Sequence, residues 1–358
     1  RKWICPNSSG ASGPLPTPRW PETRERGGHR KSAAARRKPF ARAGRRSISL
    51  GMTPPAAPKA PPRLFDRDLL VRRRDRAAPH FDEYSFLKDR VSSDLVDRLD
   101  DTARTFRAGL ELGGHDGGVS EQLKGGAKVA SMTFTDASPA MVARARERGL
   151  DAAVADEENL GFEAASFDLV VSALSLHWVN DLPGALIQVR RVLEPDGLFL
   201  GALFGAGTLA ELRTSLIEAE TEIMGGLAPR LSPLPALADM AALMQRAGFA
   251  LPVVDRESVV VRYDSVFGLL ADLKGMGERA AFAAGMGQPL PRRVLLRMAE
   301  LYAQNFSDPD GRVRATFEIV YLSGWAPAPS QPKPLKPGSA KVSLAEALRK
   351  QGESSQED

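Results

Sequence analysis

Strand-like and helix-like segments alternate without a break between residues 105 and 204 of this 358-residue chain. The strand-like runs are short and apolar, and the runs between them carry apolar residues at helical spacing. This alternation predicts an α/β fold, in which a doubly wound, mostly parallel sheet carries helices on both faces. Ligands of such sheets bind outside the carboxyl ends of the strands. The predicted strands are Phe106–Leu112, Lys128–Thr135, Asp151–Ala155, Phe167–Ala173 and Gly197–Phe204, and the helices include Val119–Lys124, Pro139–Arg148 and Leu182–Leu193.

Helical and extended additions flank this core. Residues 62–104 hold two predicted helices, and the basic run Arg72–Arg74 on the first lies among acids, which favours a solvated helix face over a nucleic-acid contact. Residues 205–326 add helices and two long strands, Val253–Arg262 and Val313–Trp325, that are predicted to complete the sheet and cover the substrate site. Residues 327–358 are predicted to form a loose tail with a short helix at Val342–Lys350.

The positive charge of the chain is concentrated in its first residues. Residues 1–51 carry 13 Lys and Arg against two Glu, so the remaining 36 basic and 42 acidic residues leave a mildly acidic body. We therefore expect no nucleic-acid partner. Residues 1–61 are predicted to be a disordered basic and proline-rich extension, and two interpretations of residues 1–51 are open. In the first, these residues are non-native sequence ahead of Met52, and the protein is bacterial and cytoplasmic. In the second, they are a transit peptide that directs the protein to the mitochondrial matrix.

Two further features narrow the class of protein. No run of 18 apolar residues occurs, so no integral membrane segment is expected. The single cysteine, Cys5, excludes an intramolecular disulfide and a multi-cysteine metal site. We predict no metal ligands, because the body has only three histidines and only His80 forms a His-x-Asp spacing, ahead of the sheet.

A glycine-rich turn follows the first strand of the core, at residues 111–118. Glycines let a backbone approach a ligand closely, and a helix N-terminus offers N–H donors. The acid at the strand end, Glu111, disfavours phosphate and favours a cation or an amino group. This sign preference indicates S-adenosylmethionine, which carries a sulfonium and an ammonium. The predicted cofactor-binding residues of the turn are Glu111, Gly113, His115 and Gly117.

Acids also follow the second and third strands. Asp136 lies 25 positions after Glu111, where a carboxylate accepts hydrogen bonds from ribose hydroxyls; its alternative role is a cap for the helix that opens at Pro139. Asp156 and Glu157 are predicted to accept from the exocyclic amine of adenine, with a solvated loop as the alternative. Three acids after three consecutive strands fit an adenosine ligand without phosphates.

The fourth strand is followed by His177 and Trp178. His177 is predicted to act as a general base or to hydrogen-bond a substrate, and the alternative is a helix cap or a solvent contact. Trp178 is predicted to contact the substrate, with core packing as the alternative.

These motifs together resemble the class I S-adenosylmethionine-dependent methyltransferase superfamily, whose fold is Rossmann-like. The resemblance rests on the acid and glycines of residues 111–117, with His115 replacing a glycine, and on the turn Leu193–Gly197 before a fifth strand. The segments that flank this core are similar to the family of mitochondrial complex I (NADH dehydrogenase) assembly factors described as arginine hydroxylases, and to its alphaproteobacterial relatives. These segments are Leu64–Arg67, Asp272–Glu278 and Ala315–Tyr321.

The resemblance implies an enzyme that acts on an arginine of a complex I iron–sulfur subunit during assembly, by methyl transfer or hydroxylation, with peripheral association at the respiratory membrane. It places Lys274 and Met276 at the substrate, where the glycines beside Met276 permit closure; a tight helix end is the alternative. Two other hypotheses stay open. One is a methyltransferase of a small molecule or an acyl-carrier substrate, and the other is a non-catalytic assembly chaperone, for which His115 is the best argument.

Overall fold

One seven-stranded sheet organises the computed structural model, which describes residues 63–284 and 288–332. The strand order is β3-β2-β1-β4-β5-β7-β6; β1 to β5 are parallel, and β7 runs antiparallel to both β5 and β6. The predicted doubly wound, mostly parallel sheet is therefore confirmed. The strands are β1 (Phe106–Leu112), β2 (Val129–Asp136), β3 (Asp151–Val154), β4 (Phe167–Ala173), β5 (Leu193–Phe204), β6 (Ala250–Tyr263) and β7 (Val313–Trp325).

The helices lie close to the predicted positions. Within the described residues they are α1 (Arg67–Ala77), α2 (Phe86–Asp100), α3 (Gly118–Leu123), α4 (Pro139–Glu147), α5 (Leu182–Val192), α6 (Ala210–Met224), α7 (Leu237–Arg246), α8 (Val266–Gly275) and α9 (Arg292–Phe306). Short 3₁₀ turns cover residues 78–83 and 176–178. Local sequence explains several helix starts, because Asp66, Ser138 and Asp181 each accept a hydrogen bond from the first turn of the following helix. The predictions for residues 1–61 and for Val342–Lys350 lie outside the described residues.

Two large apolar clusters cover the two faces of the sheet. One packs α2, α3, α6, α8 and α9 against it, and the other packs α5 and α7. All seven residues of β4 are buried, as a parallel strand covered on both faces requires. Helix α1 belongs to neither large cluster, since its buried Leu70 and Ala77 join two small ones. None of the described helices has the length and apolar character needed to cross a membrane.

Two sequence predictions change. The segment Leu193–Gly197 is not a turn before β5 but its first part, bulged so that Leu193 pairs with Phe167 and Leu198 with Leu169. The interpretation of Arg72–Arg74 as a solvated face holds for the first of these side chains, which is 55% exposed, but is wrong for Arg74, which is 1% exposed. The i, i+4 spacing of Leu70 and Arg74 turns both toward the body of the protein.

Candidate active site

The glycine-rich turn connects β1 to α3. Glu111 is fully buried at the end of β1, and its carboxylate accepts hydrogen bonds from the backbone N–H of Val119 at 3.3 Å and of Ser120 at 2.8 Å. Burial raises the pKa of Glu111, and the Ser120 hydrogen bonds act in the opposite direction. The N–H donors expected to face a ligand are thus capped by Glu111, and its contact with a cofactor stays a prediction.

His115 occupies the turn in the left-handed backbone region, at φ 58°, between Gly113 and Gly117 at 64° and 86°. Its N–H donates to Asp136 Oδ2 at 3.0 Å, and its ring stacks on Phe81 at 5.5 Å between centroids. Burial, followed by repulsion from nearby cations, lowers the pKa of His115 to about 4. The imidazole is therefore neutral at pH 7.

The three predicted acids come together at the carboxyl edge of the sheet, as expected for parallel strands. Glu111 accepts from backbone N–H groups, whereas the acids at the end of β2 and after β3 are each bound by an arginine of α1. Arg67 binds Asp156 at 2.8 Å and also Glu157, while Arg74 binds Asp136 at 3.1 Å and Glu157 at 3.3 Å. Burial opposes ionisation of Glu157, but the two arginines lower its pKa well below the usual range. Glu157 is thus ionised, the carboxylates of Asp136, Asp156 and Glu157 are all paired with arginines, and their roles toward ribose and adenine stay predictions.

Lys88, on α2, lies against the glycine-rich turn. The ammonium of Lys88, which is 5% exposed, donates to the backbone carbonyls of Gly113 at 3.2 Å and Ala173 at 2.8 Å. It also lies 2.6 Å from Nδ1 of His115, which therefore accepts, so that the neutral ring carries its proton on Nε2. Burial lowers the pKa of Lys88 to about 8.

Glu278 joins the turn to the residues after β4. Its Oε2 accepts from Trp178 Nε1 at 2.6 Å and from His177 Nε2 at 3.1 Å, while Oε1 lies 3.6 Å from His115 Nε2. Burial opposes ionisation of Glu278, but the two histidines lower its pKa well below the usual range. The other ring nitrogen of His177, Nδ1, is buried and has no hydrogen-bond partner among the described residues. The role of His177 as a general base stays a prediction.

A cavity of about 820 Å³ opens on the far side of Glu278. Its described lining includes the predicted residues His177, Trp178 and Lys274, and Glu278 is the single acid among the described lining residues. Met276, by contrast, lines a small cavity beside His115. It caps the end of α8, where Gly277 has a φ of 80°, which matches the alternative of a tight helix end. Contact of Met276 with a substrate stays a prediction.

No group of three or more His, Cys, Asp or Glu side chains in the described part of the chain is arranged to hold a metal ion. His115 and His177 both approach Glu278, but the ammonium of Lys88 points at the remaining ring nitrogen of His115. A metal-binding histidine instead directs its second nitrogen, as a donor, to an acceptor.

Sequence reasoning missed Arg67, Arg74, Lys88, Ser175 and Glu278. For Arg74 and Lys88 a signal existed, because each lies on the buried face of an amphipathic helix, four positions from Leu70 and Ser92 respectively. Glu278 ends the segment Asp272–Glu278 that the family resemblance had singled out. Ser175, whose hydroxyl donates to Glu157, carried no signal of its own.

Comparison with known proteins agrees with this geometry. The sheet order and the glycine turn after β1 define a protein of the class I methyltransferase fold, and a family model described as a methyltransferase domain matches residues 110–201. The chain is 42% identical over 287 residues to "Arginine-hydroxylase NDUFAF5, mitochondrial" of Danio rerio, covering 79% of this chain and 89% of that protein. The protein of the same name from Homo sapiens is 40% identical over 319 residues, with 87% and 91% covered. A malonyl-[acyl-carrier protein] O-methyltransferase of Halorhodospira halophila is 34% identical over 269 residues, with 73% and 88% covered.

The chain therefore belongs to the S-adenosylmethionine-dependent methyltransferase superfamily of enzymes, in the family of the NDUFAF5 arginine hydroxylases. S-adenosylmethionine is its expected cofactor. The acids at the strand ends suit a cationic ligand, but Asp136 and Glu157 already accept from Arg74, and Lys88 already donates to the backbone carbonyls of Gly113 and Ala173. The cavity left beside His115 measures about 20 Å³. That space accommodates about one water, whereas ligand pockets measure roughly 300–1,000 Å³. In this conformation the residues do not admit the cofactor.

Proposed function

We propose that the protein is an S-adenosylmethionine-binding enzyme that modifies an arginine side chain of a respiratory complex I iron–sulfur subunit while the complex is assembled. The observation that carries the proposal is Glu278, the single acid among the described residues that line the large cavity. The relatives named arginine hydroxylases, at 40–42% identity over most of their length, support the same substrate. The enzyme would then act at the surface of the respiratory membrane, in the bacterial cytoplasm or the mitochondrial matrix.

One part of the cavity suits an arginine side chain. An arginine side chain combines an apolar stem with a guanidinium that binds carboxylates in a fork geometry. Leu270, Leu273 and Phe317 supply apolar walls, and Glu278 supplies the ionised carboxylate at the inner end. In this arrangement Glu278 orients the guanidinium. Nδ1 of His177 is buried and has no hydrogen-bond partner among the described residues, which leaves it open to a hydrogen bond with the bound substrate.

Mass spectrometry of the substrate tests the proposal. The full chain is incubated in air with S-adenosylmethionine, a two-electron reductant and the iron–sulfur subunit, and the arginine-containing peptides are analysed; the reductant supplies the electrons that convert the second oxygen atom of O₂ to water. We expect one arginine to gain either one oxygen or one methyl group, which also decides between hydroxylation and methyl transfer. An unmodified subunit, together with measured cofactor binding by a folded enzyme, would contradict the proposal and favour a non-catalytic assembly chaperone.

A Glu278→Gln variant tests the assigned contact. Glutamine keeps an acceptor for Trp178 but loses the charge, so we expect kcat/KM for the subunit to fall roughly 10- to 100-fold. Glu257→Gln on β6 is the matched control, because that carboxylate pairs with Arg90 far from the cavity lining. Equal losses in the two variants would show that Glu278 does not contact the substrate.

A second candidate is methyl transfer to an acyl-carrier substrate. It is favoured by the 34% identity to the malonyl-carrier enzyme and by the cations Arg73, Arg230, Lys274 and Arg279 along the cavity, which suit an acidic carrier protein. Glu278 argues against it, because a malonyl carboxylate would meet a like charge. Methylation of malonyl-carrier protein, in parallel with no change in the iron–sulfur subunit, would establish this candidate instead.

A further inference from the structure

We propose that α1 is an intramolecular plug: its Arg74 occupies the carboxylates that bind the cofactor, so S-adenosylmethionine binds only after α1 leaves the edge of the sheet. This inference rests on the proposed function, because it takes Asp136 and Glu157 as cofactor-binding residues. It concerns how access to that site is controlled, which the substrate assignment does not address.

The contacts of Arg74 resemble those of a ligand. Its guanidinium donates to Asp136 Oδ2 at 3.1 Å, to Glu157 Oε1 at 3.3 Å and to Ser175 Oγ at 3.1 Å. Asp136 ends β2, and Glu157 and Ser175 follow β3 and β4, so one side chain reaches the carboxyl ends of strands on both sides of β1. Ligands of this kind of sheet bind at that edge. Arg74 therefore fills the position with the chain's own positive charge.

Lys88 occupies acceptors suited to the amino-acid end of the cofactor, as Arg74 does for the other end. Its ammonium donates to Gly113 O and Ala173 O, at the ends of β1 and β4. The cofactor carries a primary ammonium with the same hydrogen-bonding capacity. The two side chains thus present a guanidinium and an ammonium to acceptors suited to a cation, and a cofactor with two positive groups competes with both.

Electrostatics disfavours binding of the cofactor while Arg74 still occupies the same carboxylates. The pKa of Lys88 falls to about 8 and that of His115 to about 4, with burial as the largest cause and the charge of Arg74 among the others. Burial opposes the charge of Arg74, but Asp136 and Glu157 raise its pKa, so these carboxylates are already committed to one cation and a second buried cation would have to share the same acceptors. Arg74 must therefore withdraw when the cofactor enters.

The packing of α1 permits this withdrawal. Helix α2 contributes Leu87, Val91 and Leu95 to a large core cluster, whereas α1 contributes to neither large cluster. Polar contacts and two small apolar clusters hold α1 instead: Asp75 accepts from Ser138 Oγ at 2.5 Å, Arg73 donates to the carbonyl of Ala280 at 2.7 Å, and Leu70 and Ala77 pack in the small clusters. Displacement of α1 would therefore leave both large clusters and the packing of α2 intact.

A reversible tether provides the main experiment. Asp75→Cys and Ser138→Cys, in the full chain with Cys5→Ser, are joined by a short bis-thiosulfonate linker that dithiothreitol cleaves. We expect the tethered protein to bind S-adenosylmethionine at least about 30-fold more weakly than the same protein after cleavage, measured by calorimetry. The cleaved protein is the matched control, because it carries identical substitutions. Equal affinities before and after cleavage would overturn the plug.

A second variant removes the competing charge. We expect Arg74→Met to bind S-adenosylmethionine roughly 10-fold more tightly than the wild type, and Arg72→Met, on the exposed side of α1, to match the wild type. Circular dichroism establishes that both variants fold, and the tethered protein remains the test if Arg74→Met does not. Unchanged or weaker binding by folded Arg74→Met would contradict the inference. Absence of binding in every protein would instead refute the proposed function and the plug together, whereas equal binding with and without the tether refutes the plug alone.

Discussion

The buried imidazole of His115 makes the stability of the protein depend on pH in a defined window. Burial, followed by the charges of Lys88 and Arg74, lowers its pKa from 6.5 to about 4. Between these values the unfolded chain binds a proton that the folded chain does not. The free energy of unfolding therefore falls as the pH drops through this window, and the contribution is complete above pH 6.5.

The expected magnitude follows from the shift. A displacement of about 2.5 pKa units corresponds to about 3.4 kcal/mol in total, of which about 2 kcal/mol is lost between pH 7 and pH 5. Urea titrations at pH 7, 6 and 5 measure this loss for the wild type and for His115→Asn. Asparagine cannot titrate, and it tolerates the left-handed backbone at φ 58°. We expect the wild type to lose about 2 kcal/mol more than the variant over this range.

An exposed histidine provides the control for the His115→Asn experiment. His80→Asn removes a histidine whose side chain is 72% exposed, and we expect its pH profile to match the wild type. Profiles of the wild type and His115→Asn that run parallel within about 0.5 kcal/mol would show that His115 titrates equally in the folded and unfolded chains. The inferred burial of a neutral ring against Lys88 would then be wrong.

Three further substitutions probe the same region. In urea titrations Gly113→Ala should lower the free energy of unfolding by more than about 2 kcal/mol, because a Cβ there overlaps the Ser175 hydroxyl at a positive φ; Gly125→Ala, at a φ of 74° with open space around it, should cost only about 1 kcal/mol. Ser138→Ala removes the acceptor for the first turn of α4 and should cost about 1 kcal/mol by thermal unfolding, and no loss would contradict the cap. The wild type should gain about 2 kcal/mol between pH 8 and pH 10, as folded Lys88 releases its proton before the unfolded chain does, and Lys88→Met should lack this gain.

The sheet was predictable from the sequence because its signals are local. Each core strand is a short apolar run, and some helices, such as α4 and α5, begin after a capping residue, Ser138 or Asp181. The placement of Asp136 and Glu157 at one edge also followed, since parallel strands present their carboxyl ends together. The bulge at the start of β5 did not follow, because a proline–aspartate–glycine segment favours a turn until its pairing with β4 is known.

The sequence did not predict that Arg74 fills the predicted cofactor site, and the physical reason is different. An arginine among aspartates on a helix is usually solvated, and only the partners across the fold show that Arg74 is buried. These partners are 62, 83 and 101 positions away in sequence. Glu278 is likewise separated from His177 by 101 positions, so no local spacing connects the two. Long-range pairing of charges is thus the information that the sequence pattern lacks.

The position of β7 has a consequence for how the chain is made. β7 lies between β5 and β6 in the sheet, although it is the last of the described strands to be synthesised. Until Trp325 has left the ribosome, one edge of β5 has no partner, and β6 has none of the pairings that join it to the sheet. A growing chain therefore exposes a long apolar strand edge of the kind that recruits other strands. Chains that end before residue 313 should accumulate as aggregates, even when the whole cofactor-binding core at residues 105–204 is present.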